Sequence, residues 1–540
     1  MNRYEISKKL NLPTQNIPLN WPERKVDSLC PVCLKHLSAR IYEKGNKIFM
    51  EKKCSKHGNF KECLSKDAVF FKRNELLTFG DGWGQANPQV KNLKGCPESC
   101  GLCSNHIGTP CLCNIDLTNR CNMKCPVCFA NSNAAGYVFE PSLKQIEKMI
   151  KIIRKLKPVP ATALQYSGGE PTMSPLWFDA LRSAKKLGIR HLQAASNGIK
   201  FARTPGFAKQ SKEAGLDVVY LQFDGTNNLA YKYTRNISNL WKLKLKAVEE
   251  IGKAGIGICL VSTIVKGESS KNIGDIIRFA IKNKYVSSIS LQPVSFTGRM
   301  DRKDRERRRF TLTDVAEYTE RQTKGIIKKY DWYPVSVVSP LSRFLDVVFP
   351  SETRHMIATT HPHCGLATFL CVNKETEEAI PIPRFFDIEG SMSYLEELSH
   401  KIAGKSNLER KFFTIKALVG LKKFFKKTDA PKGMKFSDFL GFLKRFVYSD
   451  DSAYQKSKWR MVLVASMHFQ DGYNFESDRI RRCPILFCAP DGKIYPFCSY
   501  NVGPYYRGII EKKYSLPIKE WVKTGTKDGV IEGFYEKKVK

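Results

Sequence analysis

From about residue 111 to residue 300, short apolar runs alternate with longer segments in which apolar positions recur every three or four residues. The runs at 112–118, 162–166, 190–195, 217–223, 256–265 and 286–292 read as strands, and 142–156, 176–187 and 240–253 read as helices between them. Repeated strand–helix units predict parallel strands with right-handed crossovers, an α/β fold of the (β/α)6 partial-barrel kind. In such a fold the active groups sit at the C-terminal ends of the strands.

The pattern changes on both sides of this unit. Residues 1–90 carry a strand-like run at 47–51 between a Cys-Cys and a Cys-His knuckle, and 91–111 is a loop broken by Pro97, Gly101, Gly108 and Pro110. Residues 301–540 form a C-terminal α+β region that opens on the charged run 299–309, expected to be a solvated face. Within it lies a helical segment with apolar Phe412, Ile415, Leu418, Val419 and Phe425 among lysines. A second segment has an apolar stripe at Phe439, Leu440, Phe442, Leu443 and Phe446. Basic amphipathic helices of this kind either pack on a core or lie in a membrane interface. Near the C-terminus, Asp491-Gly492 marks a hairpin turn.

Hydrophobic residues at 42% and aromatics at 11% exclude a disordered chain. No apolar run approaches the roughly 20 residues that span a bilayer, and the first residues lack a signal-peptide core. The expectation is a cytoplasmic protein, with peripheral association at an anionic membrane left open. The net charge of +37 suits anionic lipid, nucleic acid or a lysine-rich composition equally. Eighteen cysteines in a reducing compartment read as metal ligands rather than disulfides.

The first candidate ligands are Cys30, Cys33, Cys54 and His57, two knuckles suited to one tetrahedral iron or zinc, with Cys63 the alternative to His57. Next come Cys96, Cys100, Cys103 and Cys111, four thiols that suit an auxiliary [4Fe-4S] cluster, with Cys113 the alternative to Cys111. Cys364, Cys483, Cys488 and Cys498 could hold another cluster, whereas Cys371 and Cys259 fit buried strand thiols.

Directly after the first strand, Cys121, Cys125 and Cys128 stand at C-x3-C-x2-C spacing. Three thiolates leave one iron of a [4Fe-4S] cube open to a ligand, whereas a structural zinc site is normally closed with four. The next strand ends in Ser167-Gly168-Gly169-Glu170, whose glycines would let backbone groups approach an amino acid's ammonium and carboxylate. The later strands end in Ser196-Asn197, side chains of a kind that bind a ribose, and in Gln222 and Asp224.

The three-cysteine spacing followed by the Gly-Gly-Glu turn resembles the radical S-adenosylmethionine (SAM) enzymes, although Val127 stands where an aromatic residue is usual. The run from Gly95 to His106, the segments 117–130, 164–171 and 291–299, and Phe497-Cys-Ser-Tyr-Asn501 are more particular. From about residue 28 to 505 they resemble the archaeal tetraether lipid synthase family. That resemblance implies a cluster at Cys121, Cys125 and Cys128 that binds SAM, one or two auxiliary clusters and a rubredoxin-like iron. It also implies a 5′-deoxyadenosyl radical that abstracts hydrogen from unactivated lipid carbons so that isoprenoid chains are joined. The electron donor would be a ferredoxin or flavodoxin. Related sequences are assigned to methylation of a pterin precursor, so a small-molecule substrate is the alternative. A basic zinc-ribbon protein that binds nucleic acid without catalysis is a third reading. The strand–helix units and the Gly-Gly-Glu turn speak against it, and no nucleic-acid partner is expected.

Overall fold

The computed structural model describes residues 23–77, 82–91, 95–350, 354–448, 457–502 and 506–523. The chain begins with an antiparallel ribbon of four strands, β1 (Arg24–Leu29), β2 (His36–Lys44), β3 (Lys47–Cys54) and β4 (Gly58–Ser65), in that order. Alternate residues of β3 (Ile48, Met50) face inward onto Ala39 and Ile41 of β2, a small core closed by Phe71 of the helix Ala68–Leu76.

The centre is a parallel sheet of β5 (Leu112–Thr118), β7 (Ala163–Gly168), β8 (His191–Ser196), β9 (Val218–Gln222), β10 (Gly257–Ile264) and β11 (Val286–Pro293). The short strand β6 (Tyr137–Phe139) leaves this order and pairs with β18 (Ser515–Pro517). Helices such as Leu143–Arg154 and Ile273–Lys282 press isoleucines onto the sheet and bury one face of it, while residues such as Gln193 and Tyr220 stay half-buried on the other.

The C-terminal region does not build a sheet of its own. Its strand β15 (Trp459–Met467) pairs in parallel with β11 and antiparallel with β13 (Gly365–Asn373), which takes on β12 (Tyr333–Pro334) and β14 (Ala379–Pro381). At the opposite edge, β16 (Ile485–Cys488) pairs with β5 and then with β17 (Ile494–Pro496). Both flanks of the parallel sheet therefore carry strands from after residue 330. This brings residues 468–501 over the C-terminal strand ends.

Two expectations change. The run 299–309 is not simply a solvated face: Arg309 is buried between Glu62 and Asp471, and Arg305 pairs with Glu62, so the run pins the ribbon to the sheet. Phe425 packs with Phe385, Phe436 and Phe439 inside the C-terminal core, where Phe439 and Phe442 of the helix Phe436–Tyr448 are also buried. That second helix is a core element; the side chains of Leu443 and Phe446 lie outside the described residues. Among the described residues, no helix is long and apolar enough to cross a membrane.

Candidate functional site

The loop after β5 is held by two anchors. Asn133, in a left-handed turn, accepts the Cys121 N–H at 2.9 Å and donates to the Cys121 carbonyl at 2.7 Å. From the end of β11, Arg299 donates to the Cys125 carbonyl at 3.2 Å, and its own N–H donates to the Cys128 carbonyl at 3.0 Å. Gly298 permits this approach, because a Cβ there would lie 2.4 Å from the carbonyl oxygens of Cys128 and Phe129. The three thiols consequently share one neighbourhood. Burial and then the Glu170 carboxylate push the Cys121 thiol well up, with Cys125 and Cys128 adding to it. Burial also raises the Cys125 thiol, while the Arg235 guanidinium beside it opposes that rise. Three half-buried thiols with a fixed cation, and no fourth protein ligand among the described residues, fit a [4Fe-4S] cluster with one open iron.

The residues at the next strand ends do come together, but they spend their polar atoms on one another. Gly168 and Gly169 allow β7 to cross the entry of the cysteine loop: a Cβ on either would sit 2.1 Å from the carbonyl oxygen of Thr118 or Arg120. The N–H groups of Gly169 and Glu170 donate to those same carbonyls, at 2.7 and 2.8 Å. What this turn can still offer a ligand is carbonyl oxygen, a partner for an ammonium rather than a carboxylate. Buried Glu170 accepts from the Ser196 hydroxyl (2.7 Å), the Asn197 N–H (2.7 Å) and the Thr172 hydroxyl (2.7 Å), tying β7 to β8. Ser167 donates to Asp116 at 2.6 Å, and Asn197 donates to Asn122 of the cysteine loop at 2.6 Å.

Gln222 donates to Asp224 at 2.9 Å and accepts from buried Lys244 at 2.7 Å. Asp224 is fully buried against Arg235 and also accepts from the Thr234 hydroxyl and the Thr263 N–H. Ser196, Gln222 and Asp224 thus frame the site rather than face an open position. Arg235 and Lys244 carry no motif, and only their arrival beside the cysteine loop marks them, whereas Arg299 ends the segment 291–299 already singled out by its motif.

In the ribbon, Cys30, Cys33, Cys54 and His57 place one ligand atom each, all within 4.8 Å of one another. Cys33 and Cys54 sulfurs stand 3.9 Å apart, close to the ~3.8 Å separation that a tetrahedral ion with ~2.3 Å metal–sulfur bonds requires. The His57 Nδ1 lies 3.5 Å from both Cys30 and Cys54. The Lys56 N–H and the His57 contact bring the Cys54 thiol down to about 6, against burial, which pushes it up. Cys63 turns away, donating to the Ser65 carbonyl at 3.4 Å, so His57 completes the set.

Of the four loop thiols at 96–111, Cys96, Cys100 and Cys103 gather: the Cys100 contact, burial and Cys103 all raise the Cys96 thiol. Cys111 does not join them. The N–H groups of Ile107 and Gly108 bind the Arg481 carbonyl, and the N–H of Cys111 binds the Pro484 carbonyl. That course carries Cys111 beside Cys113 instead.

Of the C-terminal set, Cys364, Cys483 and Cys498 gather. Burial and the two other thiols raise Cys483, and Arg479 donates to the Cys364 sulfur at 3.2 Å. Cys488 points to the other side of β16, toward the Met149 carbonyl and Cys113. Strand alternation separates it from the trio. Cys100 donates to Ser499 at 3.2 Å, so the two trios share one apolar surround with Phe497. Each trio could hold a cluster with one non-cysteine position. Cys371 and Cys259 are buried strand thiols.

A cavity opens against the cysteine loop. Val127 and Phe129 form one wall, Thr263 and Gln292 the strand ends, and Phe469, Gln470 and Phe497 the C-terminal cover.

A parallel sheet with a three-thiol loop after its first strand defines a radical SAM enzyme, and the family model of the radical SAM superfamily matches residues 115–280. Such an enzyme carries a [4Fe-4S] cluster and binds SAM. A second model, the HMPTM N-terminal zinc ribbon domain, matches residues 23–66. The protein named 7,8-dihydro-6-hydroxymethylpterin dimethyltransferase of Methanocaldococcus jannaschii is 39% identical over 501 residues, 92% of this chain and 97% of that one. The chain belongs to the radical SAM superfamily and, within it, to the family that includes this protein. The tungsten-containing aldehyde ferredoxin oxidoreductase cofactor-modifying protein of Pyrococcus furiosus is 27% identical over 177 residues, 31% of this chain and 47% of its own. Among solved structures, Streptococcus suis SuiB aligns over 41% of this chain and 48% of its own, with 18% identity and a TM-score of 0.33.

Proposed function

We propose that this radical SAM enzyme methylates a pterin-like heterocycle. The reading rests on the full-length identity to the M. jannaschii dimethyltransferase, and the cavity beside the cysteine loop agrees with it. When bound, the reduced cluster would cleave SAM and supply a 5′-deoxyadenosyl radical that abstracts hydrogen from an unactivated carbon. Cys121, Cys125 and Cys128 would hold the cluster, and the Gly168-Gly169 carbonyls would take the ammonium of SAM. A one-electron donor such as ferredoxin or flavodoxin would supply the electron. The ribbon would hold a zinc-type ion, and the two cysteine trios would hold auxiliary clusters.

Gln470, one of the residues lining the cavity, carries the discriminating group. Gln470 accepts the Glu476 N–H through Oε1, but its Nε2 is buried with no hydrogen-bond partner among the described residues. The ring nitrogens and carbonyl of a flat heterocycle seated beside the stacked Phe469–Phe497 pair, whose centroids are 4.2 Å apart, would offer that amide its acceptors. An isoprenoid chain offers that amide no acceptor. Joining of isoprenoid chains, the expectation from the motifs, accordingly stands second. The observation in its favour is an exposed apolar helix surface among lysines, described below.

The test is anaerobic incubation of the reconstituted protein with SAM, reductant and either 7,8-dihydro-6-hydroxymethylpterin or isoprenoid lipid. Methylated pterin detected by mass spectrometry supports the reading. 5′-Deoxyadenosine formed alongside joined lipid chains, with pterin unchanged, overturns it.

A further inference from the structure

The helix Asn407–Leu421 is apolar on two opposite sides. Its inner side seats Ala417 and Leu421 in the C-terminal core, with half-buried Phe413 alongside. Its outer side carries Leu408, Phe412, Ile415 and Val419, which are 80%, 63%, 63% and 69% exposed. Their spacing of four, three and four residues places them in one stripe along the helix. Core packing accounts for the inner side and leaves this outer stripe unexplained.

Charge surrounds the stripe. At 3.6 residues per turn, exposed Lys411 falls on one flank and exposed Lys416 on the other, and exposed Lys422 and Lys423 follow in the tight turn that ends the helix. The connection that follows adds exposed Lys426, Lys427, Lys432 and Lys435. Across residues 405–435 the acidic residues are Glu409 and Asp429, and Glu409 is already engaged by Lys405 and by the Ser406 N–H and hydroxyl.

That border selects the occupant. A second copy of the chain would bring its own lysines against these, like charge on like. An anionic bilayer accommodates both features, since the stripe can enter the acyl boundary while the lysines reach the headgroups. We propose that the helix Asn407–Leu421 seats the protein on an anionic lipid surface through Leu408, Phe412, Ile415 and Val419. The proposal is independent of which substrate the cavity accepts. Phe425 and the helix Phe436–Tyr448 take no part, because they pack inside the protein.

The test is co-sedimentation of the anaerobically purified full chain with vesicles of phosphatidylcholine alone or of phosphatidylcholine mixed with phosphatidylglycerol. The expected result is binding to the mixed vesicles that weakens at high salt and is about tenfold weaker or more on phosphatidylcholine alone. The triple variant Phe412→Ser, Ile415→Ser, Val419→Ser should lose about tenfold in binding while its circular dichroism and 5′-deoxyadenosine yield stay at wild-type level. A second variant, Lys411→Glu with Lys422→Glu, should weaken binding to mixed vesicles and leave the weak binding to phosphatidylcholine unchanged. Equal binding to both vesicle types, or binding that survives the triple variant, overturns the proposal. A wild-type dimer that the triple variant converts to monomer, without vesicle binding by either, also overturns it in favour of self-association.

Discussion

The guanidinium of Arg235 donates to both carboxylate oxygens of Asp224, at 2.6 Å from Nε and 3.0 Å from Nη2, and the carboxylate is fully buried. Arg235 also faces the Cys125 thiol, so Asp224 fixes a positive charge against one ligand of the cluster. A buried pair of this kind is costly to break from one side, because the survivor keeps its charge without its partner. Asp224→Asn is expected to lower the unfolding free energy by about 3–5 kcal/mol, read by urea denaturation under anaerobic conditions. A loss below about 1 kcal/mol would show that the pair is solvated rather than structural.

In the ribbon, geometry separates His57 from Cys63. His57→Ala should remove the tetrahedral ion, because three thiols then remain, whereas Cys63→Ser should keep it. Metal analysis of the isolated residues is unnecessary: the full chain with its clusters intact, assayed for zinc and iron, reports the loss of one ion. Retention of the ion in His57→Ala together with its loss in Cys63→Ser would reverse the assignment.

Lys244 gives the fold a pH dependence. Its ammonium is buried, donating to the Asn197 carbonyl at 2.5 Å and to Gln222 at 2.7 Å. Burial, and then the neighbouring Arg235 charge, bring it down to about 7. In the unfolded chain the same group stays protonated up to about 10.4. Between those values the unfolded state binds more protons, so stability rises with pH, and below about 7 the full penalty is present. Lys244→Met should flatten the rise in unfolding free energy between pH 7 and 9 by up to about 1.4 kcal/mol per pH unit. Identical slopes for the two proteins would mean that Lys244 stays charged in the fold.

The parallel sheet was legible because each strand keeps a buried apolar row and alternates with helical segments of clear three-to-four periodicity. The six predicted strands fall within two residues of those observed at each end. The ribbon ligands were legible because C-x2-C spacing fixes a knuckle before any long-range contact forms. What the sequence hid is long-range. Arg309 sits in a run that looks solvated, and its partners Asp471 and Glu62 are 162 and 247 residues away. Cys111 and Cys488 have plausible ligand spacing, but spacing does not say which way the chain leaves a turn. Both leave on the Cys113 side, along β5 and β16, away from the thiols with which they were grouped. Asp224 and Ser196 occupy strand ends where ligands bind, yet Arg235 and Glu170 claim them first.

Gly169 offers the sharpest test of the strand-end geometry. Its missing Cβ is what lets β7 lie against the cysteine loop, since a methyl there would stand 2.1 Å from the Arg120 carbonyl oxygen, far inside contact. That oxygen also accepts the Glu170 N–H at 2.8 Å, and Glu170 in turn latches Ser196 and Asn197. Gly169→Ala must therefore push the turn away from the loop and disturb the carbonyls expected to receive the ammonium of SAM. The three thiols lie on the other side of that contact and are held by Asn133 and Arg299, so they should keep their cluster. The expected outcome is near-normal iron and visible absorbance with 5′-deoxyadenosine formation reduced by about 100-fold or more, as a displacement of about 1 Å in a positioned site produces. Wild-type cleavage of SAM by this variant would show that the turn does not position the cofactor. Loss of iron together with activity would show instead that the turn holds the loop itself.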